Sequence, residues 1–136
     1  MRKFALALSV FMLVICFASC SNSDECSNKM DTAIDFFKDN GFTQSQEYTK
    51  EQIVSIEVNF KIAPSCKLNH TILRINHLIK PYNDGTFDYV YVYLFENSDD
   101  CMSIYNNYAK LNSEYAKISD RVLVFGNSEV VNQLEM

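Results

Sequence analysis

The chain has 136 residues, of which 48% are hydrophobic and 21% charged, with three Gly and two Pro. These values fit one small folded domain and exclude wholesale disorder, a collagen-like repeat and Pro/Gly-rich low complexity. Seventeen acidic against 12 basic residues give a net charge of −5, so no nucleic-acid partner is indicated.

Residues 1–19 read as a signal peptide. Arg2 and Lys3 form a basic start, and the apolar run from Phe4 to Phe17, broken by Ser9, is shorter than the ~20 residues of a bilayer-spanning helix. The edge Phe17-Ala18-Ser19-Cys20 resembles the lipobox of bacterial lipoproteins, in which small residues precede a cysteine. The resemblance covers the first 20 residues. It implies lipidation of the Cys20 thiol, Cys20 as the first mature residue, and a cell-envelope location with the membrane as partner through the lipid. Conventional secretion, by cleavage at Cys16-Phe17-Ala18 or after Ser19 or Cys20, and a retained anchor helix are the alternatives. Removing 1–19 takes away Arg2 and Lys3 and leaves ten basic against 17 acidic residues, a net −7. That balance opposes non-specific binding to nucleic acid or to anionic headgroups.

Residues 20–26 are expected as a polar tether, followed by a single domain over 27–136. The stripe Met30, Ala33, Ile34, Phe37 predicts a helix over 27–39, ended by Asn40-Gly41 as a left-handed cap. After a polar loop at 40–52, Val54, Ile56, Val58, Phe60 and Ile62 alternate with Ser55, Glu57, Asn59 and Lys61, which predicts a strand over 53–62 stopped by Pro64. Residues 71–80 fit a helix face or a strand face. Strand is the better reading, because Pro81 and Asn83-Asp84-Gly85 then turn the chain into an aromatic and β-branched strand at 86–95. Asn97 or Ser98 caps a helix over 98–111, with Asp99 and Asp100 in its first turn and Cys101, Ile104, Tyr105, Tyr108 and Leu111 on one face. A loop at 112–120, a strand at 121–125 and a short helical tail complete the chain. The order α-β-β-β-α-β predicts an α+β fold with two helices on one face of a mostly antiparallel four-stranded sheet, its last β-α-β crossing right-handed.

Cys26, Cys66 and Cys101 remain in the mature chain as disulfide candidates, with three possible pairings and no C-x-x-C spacing for a metal or redox site. An up-down-up meander of the first three strands would gather the three thiols at the end of the sheet that receives the tether. Cys26–Cys66 is then the expected bridge, with Cys101 reduced beside it. The loops at 40–52, 81–85 and 112–120 would project away from the membrane.

No catalytic residue, metal site or cofactor is indicated. His70 and His77 are seven apart, which makes no ligand pair on either a strand or a helix. Asp99-Asp100 reads as helix N-terminal charge, the three glycines are isolated, and no serine-hydrolase elbow is present. Asn69-His70-Thr71 matches a glycosylation triplet of the kind that also arises by chance. One feature stands out. Phe87, Tyr89, Tyr91, Tyr93 and Phe95 share one face of a strand whose other face carries Val90, Val92 and Leu94. Phe at both ends of the stripe favours burial under the helices. If the aliphatic face is the covered one, the rings form an open platform for stacking on a sugar, a peptide or a protein. The functional expectation is a membrane-tethered, non-enzymatic binding or structural domain with a protein, peptide or glycan partner. A small exported enzyme without a recognisable motif and a secreted inhibitor are the alternatives.

Overall fold

The computed structural model describes residues 22–136; the expected signal sequence and Cys20 lie outside the described residues. Helix α1 (Asn22–Asp39) begins before the expected Ser27, so Asp24–Cys26 belong to a helix and not to a tether. Asp24 and Glu25 sit in its first turn and Lys38 in its last, the charge order that the helix dipole favours. Its end is built as the sequence suggests. Gly41 adopts φ +89°, its N–H donates to Lys38 O, and Phe42 N–H donates back to Phe37 O at 3.0 Å. The rings of Phe37 and Phe42 meet at 5.4 Å, the apolar contact that accompanies this cap.

Strand β1 (Thr43–Glu47) follows, then helix α2 (Lys50–Ile62) where a strand over 53–62 was expected. The start signal is a capping box. Thr49 Oγ1 accepts from Gln52 N–H, and Gln52 Oε1 accepts from Thr49 N–H at 2.9 Å. The buried positions are Ile53, Glu57 and Phe60, a spacing of four and three; Val54, Val58 and Ile62 face out. The apparent alternation therefore mixed an inner and an outer face. Glu57 explains the choice physically, because its carboxylate accepts from Ile72 N–H at 2.6 Å and occupies an edge donor that a neighbouring strand would otherwise take.

Strands β2 (Ile72–Pro81) and β3 (Phe87–Phe95) form the expected hairpin. Helix α3 (Ser98–Ile104) is capped by Asn97, whose side chain accepts from Asp99 and Asp100 N–H, and it runs on through a π-helical turn at Tyr105–Ala109 into a last turn at Lys110–Asn112. Strands β4 (Tyr115–Ser119) and β5 (Val122–Gly126) and a 3₁₀ turn at Glu129–Gln133 complete the chain.

The fold is α+β with a fully antiparallel five-stranded sheet of order β1-β2-β3-β5-β4. Four strands, a three-strand meander starting at 53 and a right-handed crossover were expected. Instead β1 and β4 lie in segments read as loops, and β5 returns antiparallel to β3. The helices do not share one face. α1 and the 3₁₀ turn cover Leu78, Val90, Val92, Leu94, Val122 and Val124, while α2 and α3 cover Ile75, Tyr93, Phe95, Leu123 and Phe125 on the other side. Gly126 lets β5 close on β3, since a Cβ there would stand 2.0 Å from Tyr89 O.

This packing predicts opposite outcomes for two valines. Val92→Asp, placing a carboxylate where exposure is 0%, should destabilise the fold by roughly 3 kcal/mol or more. Val54→Asp, on the outer face of α2, should change stability by less than about 0.5 kcal/mol. Chemical denaturation of both variants checks the assignment; a strand at 53–62 with Val54 buried would reverse the second result.

Candidate functional site

The aromatic stripe is neither wholly covered nor wholly open. Along β3, Phe95 is 0% and Tyr93 5% exposed, Tyr91 and Tyr89 are half-buried, and Phe87 is 54% exposed. α2 and α3 cover its C-terminal end, and the cover stops midway. At that boundary lies a cleft of ≈310 Å³ lined by Tyr48, Ile56, Asn59, Phe60, Ala63, Tyr91, Tyr93, Tyr108 and Phe125.

Its floor, Tyr91, Tyr93 and Phe125, belongs to a row of rings that continues past the lining to His77 on β2. His77, Tyr91 and Phe125 are register partners across β2, β3 and β5. Tyr91 is stacked on His77 at 4.4 Å and on Phe125 at 5.4 Å, with interplanar angles of 16° and 25°. Tyr93 leans on Phe125 at 5.2 Å. The walls come from helices. Phe60 and Asn59 project from the end of α2, and Tyr108 comes from the π-helical turn, where an extra residue in the turn resets which side chains face the sheet. Tyr108 stands edge-on to Phe60 at 5.0 Å and to Phe125 at 6.0 Å, so it closes one side while remaining 36% exposed.

The lining carries no ionic side chain. Burial raises the phenols of Tyr93, Tyr91 and Tyr108 above their ordinary range; a hydrogen bond to Tyr48 adds to the effect at Tyr91, and neighbouring Tyr91 and Tyr89 add to it at Tyr108. Burial also lowers the His77 imidazole. The cleft is thus apolar on its ring faces, with neutral hydroxyls and the Asn59 amide as its polar groups.

Of the five stripe residues, Tyr91 and Tyr93 enter the cleft, Phe95 is core, and Tyr89 and Phe87 extend beyond it. Sequence reasoning missed Tyr48, Asn59, Phe60, Tyr108 and Phe125. Asn59 and Phe60 lay in the segment read as a strand. Tyr108 was read as part of the helix's apolar face, and Phe125 became visible as a partner only through the register of β5 on β3.

The other candidates sit elsewhere. Cys26, Cys66 and Cys101 are free and buried. Cys26 packs in the α1 core and donates from Sγ to Asp120 Oδ2 at 3.2 Å, whereas Cys66 and Cys101 pack in the core on the opposite face. Burial pushes the Cys101 thiol up, with Asp120 and Cys26 adding to it, which makes it a poor nucleophile. Asp100 does more than charge a helix end. Its buried Oδ2 accepts from the backbone N–H groups of Asn69 and His70 and lies 3.1 Å from His70 Nδ1, which fastens the loop before β2 to α3. Among the described residues no group of three His, Cys, Asp or Glu side chains could hold a metal ion. No family model, curated protein or solved structure matches the chain.

The raised phenols set a direction for alkaline stability. A tyrosine whose folded value lies above its unfolded value near 10 stabilises the fold fully below that pH, and the contribution fades as pH rises through the folded value. Absorbance at 295 nm should show Tyr91, Tyr93 and Tyr108 ionising late, together with loss of near-UV circular dichroism. A single early step for all eight tyrosines, with the fold intact, would contradict the burial described.

Proposed function

We propose that this chain is an exported, lipid-anchored and non-enzymatic domain of the cell envelope that holds a neutral sugar ring in its aromatic cleft. The observation that carries the reading is a small cleft of stacked, half-open rings with neutral phenol hydroxyls and no charged side chain. At ≈310 Å³ it lies at the small end of the ~300–1,000 Å³ range of ligand sites, which suits one ring better than a helix or an extended chain. A pyranose offers an apolar face to Tyr108, the most open ring of the lining, and its rim hydroxyls suit the phenols and Asn59. A charged ligand would lose hydration there without gaining a counter-charge.

The lipid anchor rests on the resemblance at Ala18-Ser19-Cys20. Among the described residues no helix is long and apolar enough to cross a membrane. Attachment through acyl chains on Cys20 would place α1 directly after the anchor, with a net −7 domain above the headgroups.

Two measurements test the two halves of the proposal. Mass spectrometry of membrane-extracted protein should show a diacylated or triacylated N-terminal Cys20; an unmodified N-terminus at Ser19 or Ser21 would remove the anchor. Titration of the full chain in detergent micelles with cellobiose, maltose and di-N-acetylchitobiose should give saturable binding of at least one disaccharide. Tyr108→Ala should weaken it roughly tenfold through loss of ring contact. No saturable response to any of the three would contradict the sugar reading.

A further inference from the structure

On the side of α2 away from the aromatic cleft, a trough of ≈250 Å³ runs between this helix and the start of β2. Lys50, Ile53, Val54 and Glu57 recur at the three- and four-residue spacing that puts them on one face of α2, and Ile72 and Leu73 stand opposite them. A bulge in β2 shapes the strand side. Ile72 pairs with Phe95 and Arg74 with Leu94, which leaves Leu73 without a partner on β3. Such an extra residue re-aims a side chain, and Leu73 joins Val54 at the mouth while Ile53 and Ile72 are buried beneath.

The trough is aliphatic in its middle and ionic at both ends. Lys50 and Glu57 are seven residues apart, about 10.5 Å along the helix axis, with Ile53 and Val54 between them. No ion pair joins the two among the described residues. Glu57 is 5% exposed, an uncommon place for a carboxylate. Its Oε1 accepts from Ile72 N–H at 2.6 Å. Its Oε2 has no protein partner and is not sealed in, since the enclosed, unpaired side-chain polar atom of the described residues is Asn76 Oδ1; Oε2 therefore opens on the trough that Glu57 lines. A carboxylate accepts several donors, and a charged one at an apolar wall strengthens the bond. A cation alone would meet Lys50 as a like charge, and an anion alone would meet Glu57. A molecule with both charges, separated by an aliphatic stretch, complements the two ends and the middle together.

We propose that this trough binds a small zwitterion whose ammonium and carboxylate lie at opposite ends of an aliphatic body. The ammonium donates to Glu57 Oε2, the carboxylate faces Lys50, and the body lies between Val54 and Leu73. Two sources share this chemistry, a free ω-amino acid and a short aliphatic peptide with both termini free. The site lies apart from the aromatic cleft and the anchor, so it stands or falls separately from the proposed sugar binding.

The test is a nitrogen-15 NMR titration of the full chain in detergent micelles, read at the backbone amides of Ile72 and Leu73. The probes are 6-aminohexanoate, leucyl-leucine, butylammonium and butyrate. At least one zwitterion should give saturable shifts, with butylammonium and butyrate binding about tenfold more weakly or less. Tighter binding of 6-aminohexanoate assigns an ω-amino acid, and tighter binding of leucyl-leucine assigns a peptide. Glu57→Gln keeps an acceptor for Ile72 N–H and should weaken the zwitterion about tenfold. Lys50 is exposed, so Lys50→Gln should weaken binding with the melting temperature unchanged, and it decides the matter if Glu57→Gln fails to fold. No saturable shift with either zwitterion overturns the proposal. So does butylammonium or butyrate binding as tightly as the zwitterion, or binding undiminished in Lys50→Gln or in folded Glu57→Gln.

Discussion

A strand that is apolar on both faces has to be covered twice. β3 carries Val90, Val92 and Leu94 on one side and Tyr91, Tyr93 and Phe95 on the other, and each side removes a different set of helices from water. Most of the architecture follows from that. α1 and the C-terminal 3₁₀ turn go to the aliphatic side, α2 and α3 go to the aromatic side, and β2 and β5 flank β3 so that its backbone is paired throughout the interior.

The two covers differ in extent, and the difference makes the cleft. On the aliphatic side, α1 spans the sheet and leaves a polar rim at β1. On the aromatic side, α2 is anchored at the edge of β2 by Glu57 and ends at Ile62, while α3 changes pitch at Tyr105–Ala109. Between them the rings emerge from the core in sequence, from Phe95 to Phe87. A row of rings held on three paired strands is stiff, so a ligand stacking there would lose little freedom in the protein. Burial raises the phenols of Tyr91, Tyr93 and Tyr108, and the cleft lining carries no ionic side chain.

Much of the central sheet was legible in the sequence. β2, β3, β5, the C-terminal limit of α1 and the extent of α3 follow from periodicity, from the Asn-Asp-Gly turn and from caps at Asn40-Gly41 and Asn97. The errors have physical causes. α2 was misread because β-branched residues fall on its solvent side, where packing does not constrain them, and because its one inward acid breaks the apolar stripe; the Thr49–Gln52 box was the better signal. β1 (TQSQE) is an edge strand with almost no buried side chain, so no pattern marks it. The two-sided cover was implicit in a β3 with no polar face. The site was half legible, because a stripe on one strand shows in sequence, whereas its walls at Phe60, Tyr108 and Phe125 depend on tertiary placement.

The central claim is that the aromatic face is closed at Phe95 and open from Tyr91 outward. Hydroxyl-radical footprinting of the native chain in micelles, read residue by residue by mass spectrometry, addresses it directly. The account predicts rapid modification of Phe87, Tyr89 and Tyr108 and strong protection of Tyr93 and Phe95. Modification of Tyr93 at the rate of Tyr89 would mean that α2 and α3 do not cover that face, and the cleft would not exist as described.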